Sequence, residues 1–302
     1  MSLFLKLLSI TRPKTLAAGL VPVWAGCLIV RKFQLHLPEL GIQLDWGLAL
    51  CTLLSCLCLQ IASNVFNDAL DSLRHADTDQ RQGPRRLTAS GALRPRTVLA
   101  LGVCFLGLAA LAALPLLAAR GWAVIAIGLP CMLCAYAYTG GPYPLSYHGF
   151  GELFVLLFFG LVAVMGTVFM QIGWQPGYVE VYAAAFVLGI QCGLLSCVLI
   201  EVNNIRDRRE DAQTGKRTLA VRLGERRARG LAMAFLVAPY ATLKQTAFFL
   251  PGFQWNLVWL AAIAAGGFLL LKLSKTPADK RMNVLLGLSS LHSLLFLLAL
   301  SC

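Results

Sequence analysis

Apolar residues along this chain fall in long unbroken blocks, not in the period-two alternation of half-buried strands. The blocks lie near residues 15–30, 46–66, 97–118, 121–138, 152–171, 181–202, 229–250, 254–273 and 281–300. A helix needs roughly 20 apolar residues to cross the hydrocarbon of a bilayer, and only helices and closed barrels satisfy their backbone there. The pattern therefore predicts an all-α polytopic membrane bundle of about nine transmembrane helices. Two of the divisions are thin: Arg120-Gly121 separates the third block from the fourth, and Pro251-Gly252 separates the seventh from the eighth. The segment Met1 to Arg12 has no basic region followed by a small-residue cleavage site. It reads as a short amphipathic helix lying on the membrane.

Composition agrees: 58% of the 302 residues are hydrophobic and 13% are charged, where soluble domains carry about a quarter charged. Nine of the ten cysteines stand in apolar runs, and Cys302 is the last residue. They read as small apolar packing groups, and Cys131-x-x-Cys134 has no second pair to complete a zinc site. The net charge of +12 is distributed by topology. With the N-terminus inside, 22 of the 26 Lys and Arg residues fall on cytoplasmic segments, while Arg31, Lys32 and Arg120 fall outside and Lys244 within a span. Positive loops stay in the cytoplasm, which predicts a multi-pass protein of the cell inner membrane with a cytoplasmic N-terminus. The charge suits a lipid bilayer as partner and gives no reason to expect nucleic acid.

The 14 acidic residues run against that pattern. Asp68, Asp71, Asp77 and Asp79 follow the second block, and Glu201, Asp207, Glu210 and Asp211 follow the sixth. Asn64 and Asp68 stand four apart, as do Asn203 and Asp207, so each pair shares a helix face. Asp71 and Asp211 continue the two stripes. Blocks two and six run in the same direction, which suggests one domain over 1–302 built as a parallel repeat of four-helix units, roughly 15–138 and 152–273, plus a final helix. Carboxylate and amide oxygens gathered in this way suit Mg²⁺, which keeps waters and shares substrate phosphates. Single Asp and Asn residues often just end helices, but two matching stripes at symmetric places exceed that. Arg74, Arg81, Arg85, Arg86, Arg206, Arg208, Lys216 and Arg217 lie in the same segments. Most read as topology determinants, with Lys216-Arg217 the best phosphate contacts.

Taken together, Asn64-x3-Asp68-x2-Asp71 and Asn203-x3-Asp207-x3-Asp211 resemble the two signature motifs of the UbiA superfamily of intramembrane prenyltransferases. Arg12-Pro13-Lys14-Thr15-Leu16, Tyr138-Thr139-Gly140-Gly141-Pro142 with Gly149-x-Gly151-Glu152, and Gly215-Lys216-Arg217-Thr218-Leu219 are similar to the branch that prenylates 1,4-dihydroxy-2-naphthoate in menaquinone synthesis. The resemblance implies a helical bundle around a central cavity and Mg²⁺ on Asn64, Asp68, Asp71, Asn203, Asp207 and Asp211. It also implies transfer of a polyprenyl group from polyprenyl diphosphate to an aromatic diol acid, with loss of CO₂, giving demethylmenaquinone.

Arg12, Lys14, Lys216 and Arg217 are the expected diphosphate contacts, and Tyr136, Tyr138 and Tyr143 the residues expected to meet the acceptor or a developing cation. Two departures stand out: His75 holds the place of a third Asp in the first motif, and Tyr143, Tyr147 and His148 occupy a loop where relatives carry a basic residue. Other acceptors (4-hydroxybenzoate, homogentisate, a futalosine-route naphthoate) would use the same Asp motifs. A membrane transporter would instead place ionisable residues along a mid-membrane path.

Overall fold

The computed structural model describes residues 10–76, 82–83 and 86–302, without the side chain of Lys14. The expected surface helix before residue 10, and Asp77, Asp79, Arg81 and Arg85, lie outside the described residues.

Every regular element among the described residues is helical. The elements that matter here are α1 (Ala17–His36), α2 (Trp46–Leu73), α3 (Pro95–Ala112), α4 (Leu114–Arg120), α5 (Ala123–Ala137), α6 (Gly151–Ile172, interrupted by a π-helical turn at Leu157–Val162), α7 (Val179–Gln213), α8 (Leu219–Leu223), α9 (Glu225–Ala241), α10 (Leu243–Phe249), α11 (Leu257–Lys275) and α12 (Asn283–Ser301). Seven stretches are long and apolar enough to cross a membrane: α1, α2, α3 with α4, α6, the helical run ending in α7, α11 and the run ending in α12. The other two apolar blocks are shorter. α5 has 15 residues, and the 229–250 block is broken at Thr242 into α9 and α10. The chain is a multi-pass membrane protein.

Local chemistry sets the ends of these helices. Asp45 caps α2 by accepting from the backbone N–H of Leu48 at 3.0 Å, and Asn256 caps α11 by accepting from Val258. The side chain of Arg120 donates to the carbonyls of Phe169, Met170 and Gln171. Those carbonyls belong to the last turn of α6, where intrahelical donors run out.

α7 is the hub, packing on α1, α6, α9 and α12. With 35 residues it is about 50 Å long, so it extends beyond the hydrocarbon. At its crossing with α6 the chains almost touch: a Cβ on Gly160 would lie 2.5 Å from the Gly189 carbonyl oxygen and 2.8 Å from the Gly193 Cα. Small residues permit this approach, the usual device where lipid offers no hydrophobic drive. The ten cysteines are all free thiols.

α5 packs on α2 and α4 but makes no comparable contact with α6, which faces it. Between them lies the central cavity.

Candidate active site

The cavity, about 340 Å³, runs from the loop end of α2 and α7 down between α2, α5 and α6. Its deep part is apolar, lined by residues such as Leu116, Val124, Phe154, Phe158, Phe159 and Met170. The π-helical turn bears Phe158 and Phe159; such turns swell a helix and recur at functional sites. The shallow part is polar and charged, with Asn67, Asp71, Asn203, Asp207, Asp211 and Lys216 among its walls.

Both acidic stripes reach this polar end, the first through Asn64, Asn67 and Asp71 and without Asp68. Asn64 lines the cavity and donates to the carbonyl of Thr11 at 3.3 Å. Asp68 does not line it. Its carboxylate turns away, accepting from the backbone N–H groups of Leu87 and Thr88, each at 3.1 Å, and from the Thr88 hydroxyl. Its oxygens hold the loop that follows α2. Asn67 and Asp71 face the cavity together with Asn64, and the buried Asn67 Oδ1 has no partner. The helix turns 100° per residue, which puts Asn67 and Asp71 on one side of the stripe's centre and Asp68 on its other flank. The signal was present in the sequence, because Asn67-x3-Asp71 has the same spacing as Asn203-x3-Asp207.

Asp71 is almost fully buried and tied to three segments. Arg86 approaches its Oδ2 at 2.8 Å and Lys216 at 3.6 Å, while the Tyr147 hydroxyl donates to Oδ1 at 2.8 Å. Burial, then the negative Asp71, push the Tyr147 phenol above its ordinary range, so it stays a donor. Arg86 also donates to the Asn67 carbonyl at 2.5 Å. On α7 the arrangement is local: Arg206 pairs with its neighbour Asp207 at 2.6 Å and reaches Asn283 on α12, also at 2.6 Å.

The remaining expected contacts divide. Arg12 lines the cavity, with a left-handed backbone (φ 51°) just before Pro13. A non-glycine residue held there signals a local constraint that the surroundings maintain. Lys216 also lines the cavity, but Arg217 does not: it lies in a separate basic pocket on the outside of the cap, the loop segments 138–150 and 214–218 at the polar end. Only one of the three tyrosines faces inward. Tyr138 lines the cavity, whereas Tyr136 is exposed with its ring edge-on to Phe66, and Tyr143 is exposed and stacked on His148. One helical residue separates Tyr136 from Tyr138, and that rotation of about 200° sends them to opposite sides.

Beside Tyr138 lies a buried carboxyl group, Glu152, with a second, Glu201, behind it; the stripe pattern singles out neither. Glu152 accepts from the Asn204 side chain at 2.7 Å and meets Glu201, and neither Glu201 oxygen has a hydrogen-bond donor in range.

The donor set fits a hard divalent cation. Among the described residues no three His, Cys, Asp or Glu side chains converge closely enough to hold one unaided. An amide and one or two carboxylates per stripe, with the unpartnered Asn67 oxygen, match an ion that completes its shell with water and phosphate oxygens.

The match to known proteins is extensive. A family model described as the UbiA prenyltransferase family matches residues 39–291. A 1,4-dihydroxy-2-naphthoate octaprenyltransferase of Mycobacterium tuberculosis is 40% identical over 78% of this chain and 76% of its own length. The enzyme of the same name from Bacillus subtilis is 33% identical over 76% of this chain and 70% of its own. Among solved structures, a UbiA homolog from Archaeoglobus fulgidus bound to GPP and Mg²⁺ has a TM-score of 0.61 at 16% identity, covering 96% of this chain and 98% of that one.

Proposed function

Because the chain belongs to the UbiA prenyltransferase family, we propose that it transfers a polyprenyl group from polyprenyl diphosphate to 1,4-dihydroxy-2-naphthoate. The ring carboxylate leaves as CO₂ and the product is demethylmenaquinone. The observation that carries the acceptor is the identity of about two residues in five to a relative named for that reaction, over most of both chains.

The cavity supplies the matching chemistry. Mg²⁺ is the proposed cofactor, held by Asn67, Asp71, Asn203, Asp207 and Asp211, with Asn64 at the edge of the group. When bound it neutralises diphosphate charge and favours its departure. Arg12, Arg86 and Lys216 add fixed positive charge at the same end of the cavity, where the diphosphate is placed. The prenyl chain lies along the apolar depth between α5 and α6. Phe154, Phe158 and Phe159 keep water from the allylic carbon as positive charge grows there. Lys14 remains a candidate phosphate contact from its place in the sequence.

The acceptor ring belongs near Tyr138, Glu152 and Asn204, which pair an aromatic face with hydrogen-bonding groups suited to a diol. Ring carbon attacks the allylic carbon, the carbon–oxygen bond to diphosphate breaks, and loss of CO₂ restores the aromatic ring. Asp68 acts as a positioning residue, fixing the loop that brings Arg86 to Asp71.

The inner membrane, an inward N-terminus and a repeat of two four-helix units remain part of this proposal, supported by the charge distribution and by the C-terminal parts of both α2 and α7 lining the polar end of one cavity. A transporter is disfavoured by the concentration of acids at one end of the cavity.

Purified protein with 1,4-dihydroxy-2-naphthoate, a polyprenyl diphosphate and Mg²⁺ is expected to release CO₂ in step with prenylated product. Turnover of 4-hydroxybenzoate or homogentisate, with none of the naphthoate, would replace the acceptor while leaving the reaction class intact.

A further inference from the structure

A second cavity lies on the outer side of the cap, and its lining is basic. Arg74, His148, Arg217 and Arg222 surround it with Tyr147, and none of the described residues lining it is acidic. Two of the guanidinium groups are held in place. Arg74 donates to the carbonyls of Thr139 and Gly141 at 2.6 and 2.7 Å, and Arg222 to those of Arg217 and His148 at 3.1 and 2.9 Å. Carbonyl oxygens orient a cation without cancelling its charge. The side chain of Arg217 is exposed and has no acidic partner among the described residues.

The Tyr147 side chain touches groups of both spaces. The Tyr147 hydroxyl bonds Asp71 on the inner side. Its ring centroid lies 5.3 Å from the Lys216 ammonium of the inner cavity and 5.2 Å from the Arg74 guanidinium of the outer pocket. Neighbouring residues in one segment serve the two spaces, Lys216 inward and Arg217 outward.

The two products of prenyl transfer differ in where they can go. The prenylated ring carries a long apolar tail and passes into lipid. Inorganic diphosphate carries several negative charges, is excluded from hydrocarbon, and leaves through the cap to water. We propose that the outer pocket is a binding site for inorganic diphosphate on that way out, with Tyr147 in contact with both sites. Arginine offers paired donors to phosphate oxygens. The inner site offsets its Arg and Lys side chains with Asp71, Asp207 and Asp211, and draws on a divalent cation to accept so negative a ligand. The outer pocket supplies its own positive charge and needs none.

That difference gives the test. It rests on the diphosphate chemistry proposed above, but it does not depend on turnover. The full chain in phosphatidylcholine nanodiscs is equilibrated with radiolabelled inorganic diphosphate in EDTA. One metal-independent site per chain is expected, weakened about tenfold or more by Arg217→Glu, substantially recovered in Arg217→Lys, and left in place by Asp207→Asn. Absence of binding in EDTA, or binding indifferent to Arg217→Glu, overturns the proposal. Undiminished binding in discs containing phosphatidylglycerol is expected. Competition by that lipid would assign the pocket to a headgroup and overturn the exit role. Adding Mg²⁺ is expected to reveal a second site that Asp207→Asn removes. Its absence would count against the inner-site reading alone.

Discussion

The stripes on α2 and α7 have the same Asn-x3-Asp spacing but find their counter-charges in opposite ways. Asp207 is balanced by the residue before it in sequence, and Arg206 in turn reaches Asn283. Asp71 is balanced by two cations from other segments, Arg86 and Lys216, and accepts from the Tyr147 hydroxyl of a third. Among the described residues, the ion pair of the α7 stripe is made within its own helix. The α2 stripe exists as a charge-balanced group only when the cap is folded over it. Removing the same chemical group from the two stripes therefore tests different things.

The largest effects are expected at the facing carboxylates. Asp71→Asn and Asp207→Asn should each lower kcat on the order of 10³-fold with polyprenyl diphosphate. Asp71→Asn should also unfold the earlier of the two, because it takes a buried acid from two cations, a loss of about 3–5 kcal/mol, where Asp207→Asn takes one from Arg206. Thermal unfolding in detergent measures this, and equal melting shifts for the two variants would remove the contrast drawn here.

The next effect tests the register. Asn67→Ala is expected to raise the Mg²⁺ concentration for half-maximal rate about 10-fold or more, and Asn64→Ala by clearly less. A larger effect at Asn64 would restore the register expected from the motif alone. Asp68→Asn follows: melting should fall by the worth of bonds to a charged group, about 1.5–3 kcal/mol, while kcat falls less than in Asp71→Asn. A loss of rate as deep as that of Asp71→Asn, at unchanged stability, would make Asp68 a ligand and not a loop anchor.

The smallest contrast is between tyrosines. Tyr147→Phe removes one hydrogen bond to Asp71, worth about 1 kcal/mol, and should raise KM for polyprenyl diphosphate several-fold. Tyr143→Phe, on the exposed stack with His148, should leave both constants within about twofold. Steady-state kinetics with saturating acceptor separates the two.

How much of this was written in the linear chain follows from what each signal measures. Apolar blocks fix membrane crossing because a bilayer demands it over some 20 consecutive residues, wherever the helices later pack. They also fix the all-helical class, since backbone groups in lipid are satisfied within each helix. The excess of acids after α2 and α7 marked the polar end of the cavity, because such charge is costly near a membrane unless it has work to do. Of the residues that the motif resemblance named, Arg12, Tyr138, Asn203, Asp207, Asp211 and Lys216 line the cavity.

Helical period alone could not say which flank of a stripe faces inward. Asn64, Asn67, Asp68 and Asp71 all lie within about 100° of one another around α2, and a neighbouring loop decides among them. Leu87 and Thr88 claim Asp68, which leaves Asn64, Asn67 and Asp71 to the cavity. The same holds for Lys216 and Arg217, whose opposite directions come from the packing of their segment against Tyr147. Period and composition are local properties of a helix, so the sequence by itself determined the spans and the region of chemistry. Which atoms meet across the cavity depends on contacts between residues far apart in the chain, and only the tertiary structure decided that.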